Sequence, residues 1–256
     1  MRIVNLFRYP VKGLSAEAMG EVVLEAGFGF PLDRKYAVTD GSLQFDPAAP
    51  KPAPKTHFLM LAKHENLARL KSRLIEADGR LEIRNGVDVR TFALDDAKER
   101  SALARFLAGV VDVPLPGEPD VVHAPGHQFT DVSVHSVALM RSISLINLTT
   151  VADLSAHLAL PLDPIRFRAN LYFEGPAAWS ELDWVGRRLG IGEVALKVVR
   201  RTKRCAATSV NPDLAVRDVN LPIAIRDYQG HGDLGIYAEV EAGGRIAAGD
   251  RIELLD

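Results

Sequence analysis

The chain has 256 residues, which is enough for one or two domains. Hydrophobic residues make up 47% of it and charged residues 25%, and a chain of this size and composition can fold without disulfides or metal. The net charge of −2 argues against nucleic acid as a partner, and no apolar run reaches the roughly 18 residues of a membrane-spanning helix. Because the amino terminus also lacks the pattern of a signal peptide, we expect a cytoplasmic protein that binds no membrane.

The amino-terminal third is predicted to form short strands separated by turns. Alternating apolar and polar residues indicate strands at Ile3–Tyr9, Glu21–Glu25 and Tyr36–Thr39. Four prolines occur within residues 46–54. Because proline lacks a backbone donor and fixes the backbone, this stretch is expected to be an extended, exposed loop.

Two helices and a hairpin are predicted next. Leucines at helical spacing indicate a helix over Lys63–Glu76. Asn85-Gly86 lies between two short apolar stretches, which is the strongest short-range signal for a β-hairpin. A further amphipathic helix is expected to begin after Asp95, which would cap it.

A cluster of proline and glycine over residues 114–119 indicates a linker between two domains, 1–116 and 117–256. The second half is predicted to be mostly strands, with one helix capped by Thr149 or Thr150. Many short strands with few helices predict a mainly β fold with a few helices (α+β), organised as two β-barrel-like domains.

Cys205 is the only cysteine, which excludes an intrachain disulfide, a cysteine-rich zinc site and an iron–sulfur cluster that needs about four thiolates. It follows the basic stretch 200–204 (RRTKR), and neighbouring cations favour the thiolate, the form that binds metals and acts as a nucleophile. The same cations could hold an anionic ligand such as phosphate. A buried, unreactive cysteine beside a solvated basic strand is the alternative.

Several short motifs surround this cysteine in a fixed order. They are FRAN at 167–170, RCAATSVNPD at 204–213, GIY at 235–237 and GRIAAGD at 244–250. Together they resemble the motifs of the MOSC family of molybdenum-cofactor proteins. Near the amino terminus, YPVKG at 9–13 and LDR at 32–34 resemble the β-barrel domain that precedes the MOSC domain in amidoxime-reducing components and related bacterial proteins. The resemblance implies a MOSC-associated β-barrel domain over 1–116 and a MOSC domain over 117–256.

The resemblance implies roles for the matching positions. Cys205 would be the catalytic residue and the thiolate ligand of molybdenum, in a shell completed by the two dithiolene sulfurs of the pterin and by oxygen ligands. Cations would hold the pterin phosphate and ring, and two polar side chains would form hydrogen bonds beside them. The expected cofactor-binding residues are Lys12, Arg34, Arg168, Asn170, Arg204 and Tyr237.

The chain departs from the family pattern at three places. Relatives often carry a hydroxyl residue where this chain has Gly13, and a small or polar residue where it has Lys203. The Thr-Ser pair of eukaryotic relatives falls near Met140-Arg141-Ser142. These differences concern individual cofactor contacts and substrate choice, and they leave the cysteine unaffected.

The resemblance implies an oxidoreductase that reduces N-hydroxylated small molecules at a molybdopterin-type molybdenum cofactor. Because one cysteine cannot hold a cysteine-ligated iron–sulfur cluster, electrons are expected from a separate electron-transfer protein. The alternative is a sulfur or molybdenum-cofactor carrier with a persulfide on Cys205, since MOSC domains also occur in cofactor sulfurases. A chain of this length has no room for the pyridoxal-phosphate-binding half of those enzymes, so pyridoxal phosphate is not expected. A binding module without chemistry is the third hypothesis.

Overall fold

The fold is mainly β with a few helices, as predicted. The computed structural model of the protein describes residues 1–255, with 33% of residues in strands and 23% in helices. Within these residues the strands are β1 (Arg2–Arg8), β2 (Glu17–Met19), β3 (Glu21–Leu24), β4 (Ala37–Val38), β5 (Leu70–Ile75), β6 (Arg80–Asn85), β7 (Asp88–Ala93), β8 (Val121–Val122), β9 (Ile143–Asn147), β10 (Leu171–Glu174), β11 (Arg188–Ile191), β12 (Val194–Lys203), β13 (Asp233–Ala242), β14 (Gly244–Ala247) and β15 (Glu253–Leu255). The helices are α1 (Ala97–Val111), α2 (Val137–Met140), α3 (Leu148–His157) and α4 (Leu221–Gln229). Short 3-10 helices lie at Lys55–His57, Glu65–Arg69, Pro164–Phe167, Ser180–Trp184 and Ala206–Ser209.

One large sheet of eight strands curls into a half-barrel and combines strands from both ends of the described chain. Its order is β15-β11-β12-β13-β9-β10-β1-β2, in which β9 and β10 are parallel and the other neighbours antiparallel. Ile3 of β1 lies opposite Phe173 of β10, and Leu6 lies opposite Leu171, with all four side chains in the main hydrophobic core. β3 likewise pairs with β14. The sheets therefore join early and late strands, while the division into 1–116 and 117–256 stays a prediction.

A second hydrophobic core lies between the three-stranded sheet β5-β6-β7 and α1. The predicted hairpin is confirmed, but its two turn residues are Gly86 and Val87, one position later than predicted, because Asn85 pairs with Asp88. Gly86 has a φ of +61°, which glycine adopts without steric cost. Helix α1 is also confirmed, although its cap lies one residue beyond the predicted position. The Asp96 carboxylate accepts hydrogen bonds from two backbone N–H groups in the first turn.

The prediction of a helix over Lys63–Glu76 is wrong. Residues Glu65–Arg69 form a 3-10 helix, and Leu70–Ile75 form β5, which pairs with β6. Leu70 and Leu74 are both buried, and the residues between them alternate between exposed and buried. Their four-residue separation fits either a helix or a strand, and pairing with a neighbouring strand decides in favour of β structure.

Two features of the second half also differ from the sequence-based expectations. Helix α3 is present, but its cap is Asn147, whose side-chain oxygen accepts a hydrogen bond from a backbone N–H group, and neither predicted threonine does so. The hydroxyl of Thr150 instead donates to the buried carboxylate of Glu181 at 2.9 Å. Helix α4 was not predicted, because it buries only Leu221 and Ile225 and therefore carries a short apolar stripe.

The proline-rich stretch at 46–54 has no regular secondary structure and is largely exposed, as predicted. It leads directly into the 3-10 helix Lys55–His57, so its end is tied to the body of the protein. None of the helices within residues 1–255 combines the length and apolarity that a membrane-spanning helix needs.

Candidate functional site

Cys205 lies just after the end of β12, one of the two longest strands of the large sheet. β12 runs beside β13 as far as Lys203, and Cys205 then caps the 3-10 helix Ala206–Ser209. The Cys205 carbonyl oxygen accepts hydrogen bonds from the Thr208 backbone N–H at 3.0 Å and from the Thr208 hydroxyl at 2.9 Å. The cysteine is half-buried. Its backbone is therefore fixed at a corner while part of the residue remains accessible.

A cavity of about 310 Å³ lies in front of Cys205, and we refer to it as the Cys205 cavity. All seven residues predicted for the site line this cavity: Lys12, Arg34, Arg168, Asn170, Arg204, Cys205 and Tyr237. They come from segments near β1, before β4, around the start of β10, after β12 and within β13. The fold thus brings together residues that are far apart in sequence, and their individual roles stay predictions.

The wall of the Cys205 cavity carries a large excess of positive charge. Within residues 1–255, Asp131 contributes the only carboxylate to the wall, against nine basic side chains: Lys12, Arg34, Lys55, Arg166, Arg168, Arg200, Arg201, Lys203 and Arg204. Five of these nine cations form salt bridges within residues 1–255. The four that form none in that part of the chain are Arg168, Arg200, Lys203 and Arg204. Unneutralised cations around a partly enclosed space attract an anionic ligand such as a phosphate.

Arg204 presents an unsatisfied donor at this site. Its Nε donates to the Leu234 carbonyl oxygen at 2.6 Å and its Nη1 to that of Phe167 at 3.0 Å. Its Nη2 is buried and has no hydrogen-bond partner within residues 1–255. Burial lowers the pKa of Arg204 from its ordinary value. A Cβ at Gly235 would lie 2.9 Å from this Nη2, so glycine leaves the space that the guanidinium fills. A buried donor without a partner destabilises the protein unless a ligand accepts its hydrogen bond.

Arg34 and Arg168 lie over the buried ring of Tyr9, each with its guanidinium carbon 4.4 Å from the ring centroid. Both have a positive φ, +46° for Arg34 and +52° for Arg168, which non-glycine residues seldom adopt. Arg34 donates from Nη2 to the Arg168 carbonyl oxygen at 2.8 Å and pairs with Asp33. The guanidinium of Arg168 has no hydrogen-bond partner in residues 1–255, and burial lowers its pKa. Such strained backbone is typical of functional sites.

Lys55 and Asp131 belong to the site although the sequence analysis missed both. The Asp131 carboxylate bridges Lys12 and Lys55, at 2.8 Å from the Lys55 Nζ, and Lys55 lines the same cavity as Cys205. Burial raises the pKa of Asp131, but the two ammonium groups outweigh it and hold that pKa well below its usual range. Burial lowers the pKa of Lys55, but Asp131 and Cys205 outweigh it and raise that pKa. No motif marks either residue, so sequence spacing offers no signal for them.

Lys12 and Arg166 are among the most buried cations at the site. Lys12 donates to the Phe129 carbonyl oxygen at 3.0 Å, and its burial outweighs Asp131 and lowers its pKa. Arg166 is 4% exposed and binds both carboxylate oxygens of Asp218, at 2.8 and 2.5 Å. Arg166 was not predicted, although it lies two positions before Arg168 and next to the FRAN motif. Both side chains are held rigidly, so the charges they present are fixed in position.

Asn170 and Tyr237 differ in how free their polar groups are. The Asn170 side-chain oxygen accepts hydrogen bonds from the backbone N–H and the hydroxyl of Ser144, both at 3.1 Å, and its amide donates to the Phe7 carbonyl oxygen. Asn170 therefore ties β1, β9 and β10 together at the cavity wall. The Tyr237 hydroxyl has no hydrogen-bond partner within residues 1–255, and burial raises its pKa. Tyr237 is therefore able to hydrogen-bond with a ligand.

The sequence around this cavity matches a known family model, described as the MOSC domain, over residues 132–253. The chain carries a MOSC domain. Cys205 lies inside the matched range, as do Arg168, Asn170, Arg204 and Tyr237. Lys12 and Arg34 precede the MOSC domain, so the site combines that domain with earlier parts of the chain.

Curated relatives of the MOSC domain and its flanking sequence were also found. The molybdenum cofactor sulfurase of Caenorhabditis briggsae is 26% identical over 271 residues, which covers 99% of this chain and 36% of the relative. The mitochondrial amidoxime-reducing component 1 of Homo sapiens is 30% identical over 123 residues, which covers 43% of this chain and 36% of the relative. The match spans 36% of the length of each of these relatives.

Two solved structures are similar in part. The YUAD protein from Bacillus subtilis has a TM-score of 0.47 at 15% identity, with 99% of this chain and 94% of that chain covered. YiiM from Geobacillus stearothermophilus has a TM-score of 0.36 at 20% identity, with 44% of this chain and 54% of that chain covered.

Proposed function

We propose that this protein binds a molybdopterin-type molybdenum cofactor in the Cys205 cavity and reduces N-hydroxylated small molecules there. The observation that carries the proposal is that the sole cysteine of a MOSC domain shares a cavity with Arg204, whose Nη2 is buried without a hydrogen-bond partner within residues 1–255. The similarity to a molybdenum cofactor sulfurase and to amidoxime-reducing components supports a function that involves this cofactor. The amidoxime-reducing relatives suggest the substrate class.

The residues present fit such a cofactor chemically. A thiolate is a soft ligand of the kind that binds metals of this class, and Cys205 is accessible at the cavity wall. The buried Nη2 of Arg204 needs an acceptor, which a phosphate or pterin oxygen would provide. Arg168 has no salt bridge within residues 1–255 and would offset the negative charge of the phosphate.

In this proposal Cys205 ligates the molybdenum, while Lys12, Arg34, Arg168 and Arg204 hold the pterin and its phosphate. When bound, the cofactor would supply the two-electron redox chemistry, and the protein would supply binding, orientation and charge. Tyr237 offers its free hydroxyl as a hydrogen-bond donor to whatever is bound beside it. The Asn170 amide is occupied by Ser144 and Phe7, so Asn170 acts by fixing the strands behind the site.

Reduction of an N–OH group breaks the N–O bond, consumes two electrons and two protons, and releases water. We propose that the electrons come from a separate electron-transfer protein, because the single cysteine of this chain cannot hold a cysteine-ligated iron–sulfur cluster.

The test is the molybdenum and pterin content of protein purified from a host that makes the cofactor. We expect a stoichiometric amount of both in the wild type and loss of molybdenum in Cys205→Ala. Ala206→Ser is the matched control, because Ala206 is exposed and does not line the cavity, and it should retain the metal. Absence of molybdenum and pterin from the wild type would refute the proposal.

The match to the cofactor sulfurase over 99% of this chain favours a second candidate, a sulfur or molybdenum-cofactor carrier with a persulfide on Cys205. A reductase retains molybdenum through repeated turnover, whereas a carrier releases the cofactor or carries one extra sulfur atom on Cys205. Mass spectrometry of the purified protein separates the two. A persulfide on Cys205 without molybdenum would replace the reductase proposal with the carrier.

A further inference from the structure

A second cavity, of about 360 Å³, lies directly beside the Cys205 cavity. Five residues line both cavities, which makes them neighbours across a shared wall: Gly13, Leu61, Arg166, Arg168 and Ala207. Gly13 contributes only backbone to this wall, and its φ of +85° together with a Cβ position 2.7 Å from the Leu59 carbonyl oxygen excludes a side chain there. At Gly13, therefore, only backbone atoms lie at the junction between the two cavities.

The second cavity differs from the first in its chemistry, because apolar side chains form most of its wall. They include Phe7, Leu14, Leu61, Ile165 and Val210. The Cys205 cavity, in contrast, is lined by nine cations. A ligand that fills both spaces would therefore need a polar end near Cys205 and an apolar end away from it.

The polar groups in the wall of the second cavity are mostly engaged by the protein itself. Lys71 donates to the Pro212 carbonyl oxygen at 3.1 Å and lies 3.7 Å from a carboxylate oxygen of Asp213. Asp163 accepts a hydrogen bond from the Ile165 backbone N–H at 2.9 Å. An apolar group can therefore enter without leaving these polar groups newly unpaired.

The aromatic part of the wall is already in place. The Phe7 ring meets Tyr172 edge to face, with ring centroids 5.5 Å apart, and Phe7 is only half-buried. Tyr9 is fully buried, and two guanidinium groups lie over its ring. An apolar cavity of about 150 Å³ is enough to bind benzene, so this one has room for a ring.

We infer that the second cavity binds the apolar, ring-sized part of an N-hydroxylated substrate whose N–OH group enters the Cys205 cavity. This inference rests on the proposed function and specifies its substrate class as N-hydroxylated compounds that carry an aromatic or comparable apolar group. An apolar ring in a preformed pocket contributes about ten- to hundredfold to kcat/KM. The protein therefore selects against small hydroxylamines that lack such a group.

The experiment compares N-phenylhydroxylamine with hydroxylamine, which differ by one phenyl ring. Reduction gives aniline plus water from the first and ammonia plus water from the second. Each reaction consumes two protons, which come from the buffer, and two electrons, which come from two equivalents of reduced methyl viologen. The protein is the molybdenum-loaded full chain. Ala68→Trp fills the second cavity, since Ala68 lines only the second cavity and not the Cys205 cavity, and it is half-buried in a 3-10 helix.

We expect the wild type to prefer N-phenylhydroxylamine by at least about tenfold in kcat/KM. Ala68→Trp should remove that preference by raising KM for the aromatic compound, with kcat for both compounds, KM for hydroxylamine, and molybdenum content unchanged. Ala16→Trp, at another position that lines only this cavity, should behave in the same way. Ala108→Trp is the control, because Ala108 is half-buried in α1 and lines neither cavity.

Different failures have different meanings. If the wild type reduces both compounds but neither Ala68→Trp nor Ala16→Trp changes the preference, the subsite inference is wrong and the proposed function stands. If these two tryptophan variants fold but lose molybdenum and pterin, the second cavity belongs to the cofactor, which also overturns the inference. If the molybdenum-loaded wild type reduces neither compound, the proposed function fails and the inference fails with it.

Discussion

Replacing Asp218 by alanine should lower the free energy of unfolding markedly, because it leaves a buried guanidinium without its counter-charge. The Arg166 side chain is 2% exposed and forms two hydrogen bonds to the Asp218 carboxylate, whose own side chain is 24% exposed. The Nε of Arg166 is already buried without a partner within residues 1–255. The variant would therefore leave the whole guanidinium group of Arg166 without an acceptor.

The structure sets the expected size of this effect. Removing one partner of a buried ion pair costs about 3–5 kcal/mol. Since Asp218 is partly exposed, water can reach Arg166 from that side, and we expect the lower end of the range, about 3 kcal/mol. With a slope of about 3 kcal/mol per molar urea, the unfolding midpoint should fall by about 1 M.

Urea unfolding of cofactor-free protein is the assay, because a bound ligand would add its own stabilisation. The double variant Arg166→Met with Asp218→Ala removes both charges and should recover most of the lost stability. Asp183→Ala is the control: its partner Arg201 forms an exposed ion pair, so the loss should stay below about 1 kcal/mol. An Asp218→Ala variant no less stable than this control would refute the reasoning.

Three further predictions concern pH, cofactor retention and backbone strain. Hydrogen bonding from Arg166 lowers the pKa of Asp218 below its unfolded value, so this stabilisation is present above about pH 4 and is lost as pH falls through the folded pKa. The stability difference between wild type and Asp218→Ala in urea unfolding should therefore be constant from pH 7 to 5 (roughly) and shrink below about pH 4. Arg204→Met removes the guanidinium and should lower pterin retention after gel filtration by about tenfold in protein that remains folded by thermal unfolding. Full retention would contradict the role proposed for Arg204. Gly13→Ala combines a φ of +85° with a Cβ 2.7 Å from a carbonyl oxygen, and it should lower the free energy of unfolding by about 2 kcal/mol in thermal unfolding. Gly79→Ala, with a φ of +67° and open space around the Cβ, should lower it by about 1 kcal/mol. Equal losses would argue against the clash at Gly13.

Local features were predictable because neighbouring residues decide them. The hairpin at Asn85-Gly86 follows from the backbone conformations that a two-residue turn needs, and α1 follows from its cap and its apolar face. The helix over Lys63–Glu76 failed for a different reason. Leu70 and Leu74 fit both periodicities, and only the presence of β6 alongside makes this segment a strand.

The sequence by itself determined that Cys205 is the only thiol, that cations flank it, and that family motifs surround it in order. The tertiary structure alone decided that Asp131 bridges Lys12 and Lys55 beside that thiol, and that an apolar cavity adjoins the charged one. These residues come from segments far apart in the chain. Their proximity depends on how the half-barrel sheet curls and which loops pack at its rim, and the spacing of residues along a sequence carries no measure of that distance.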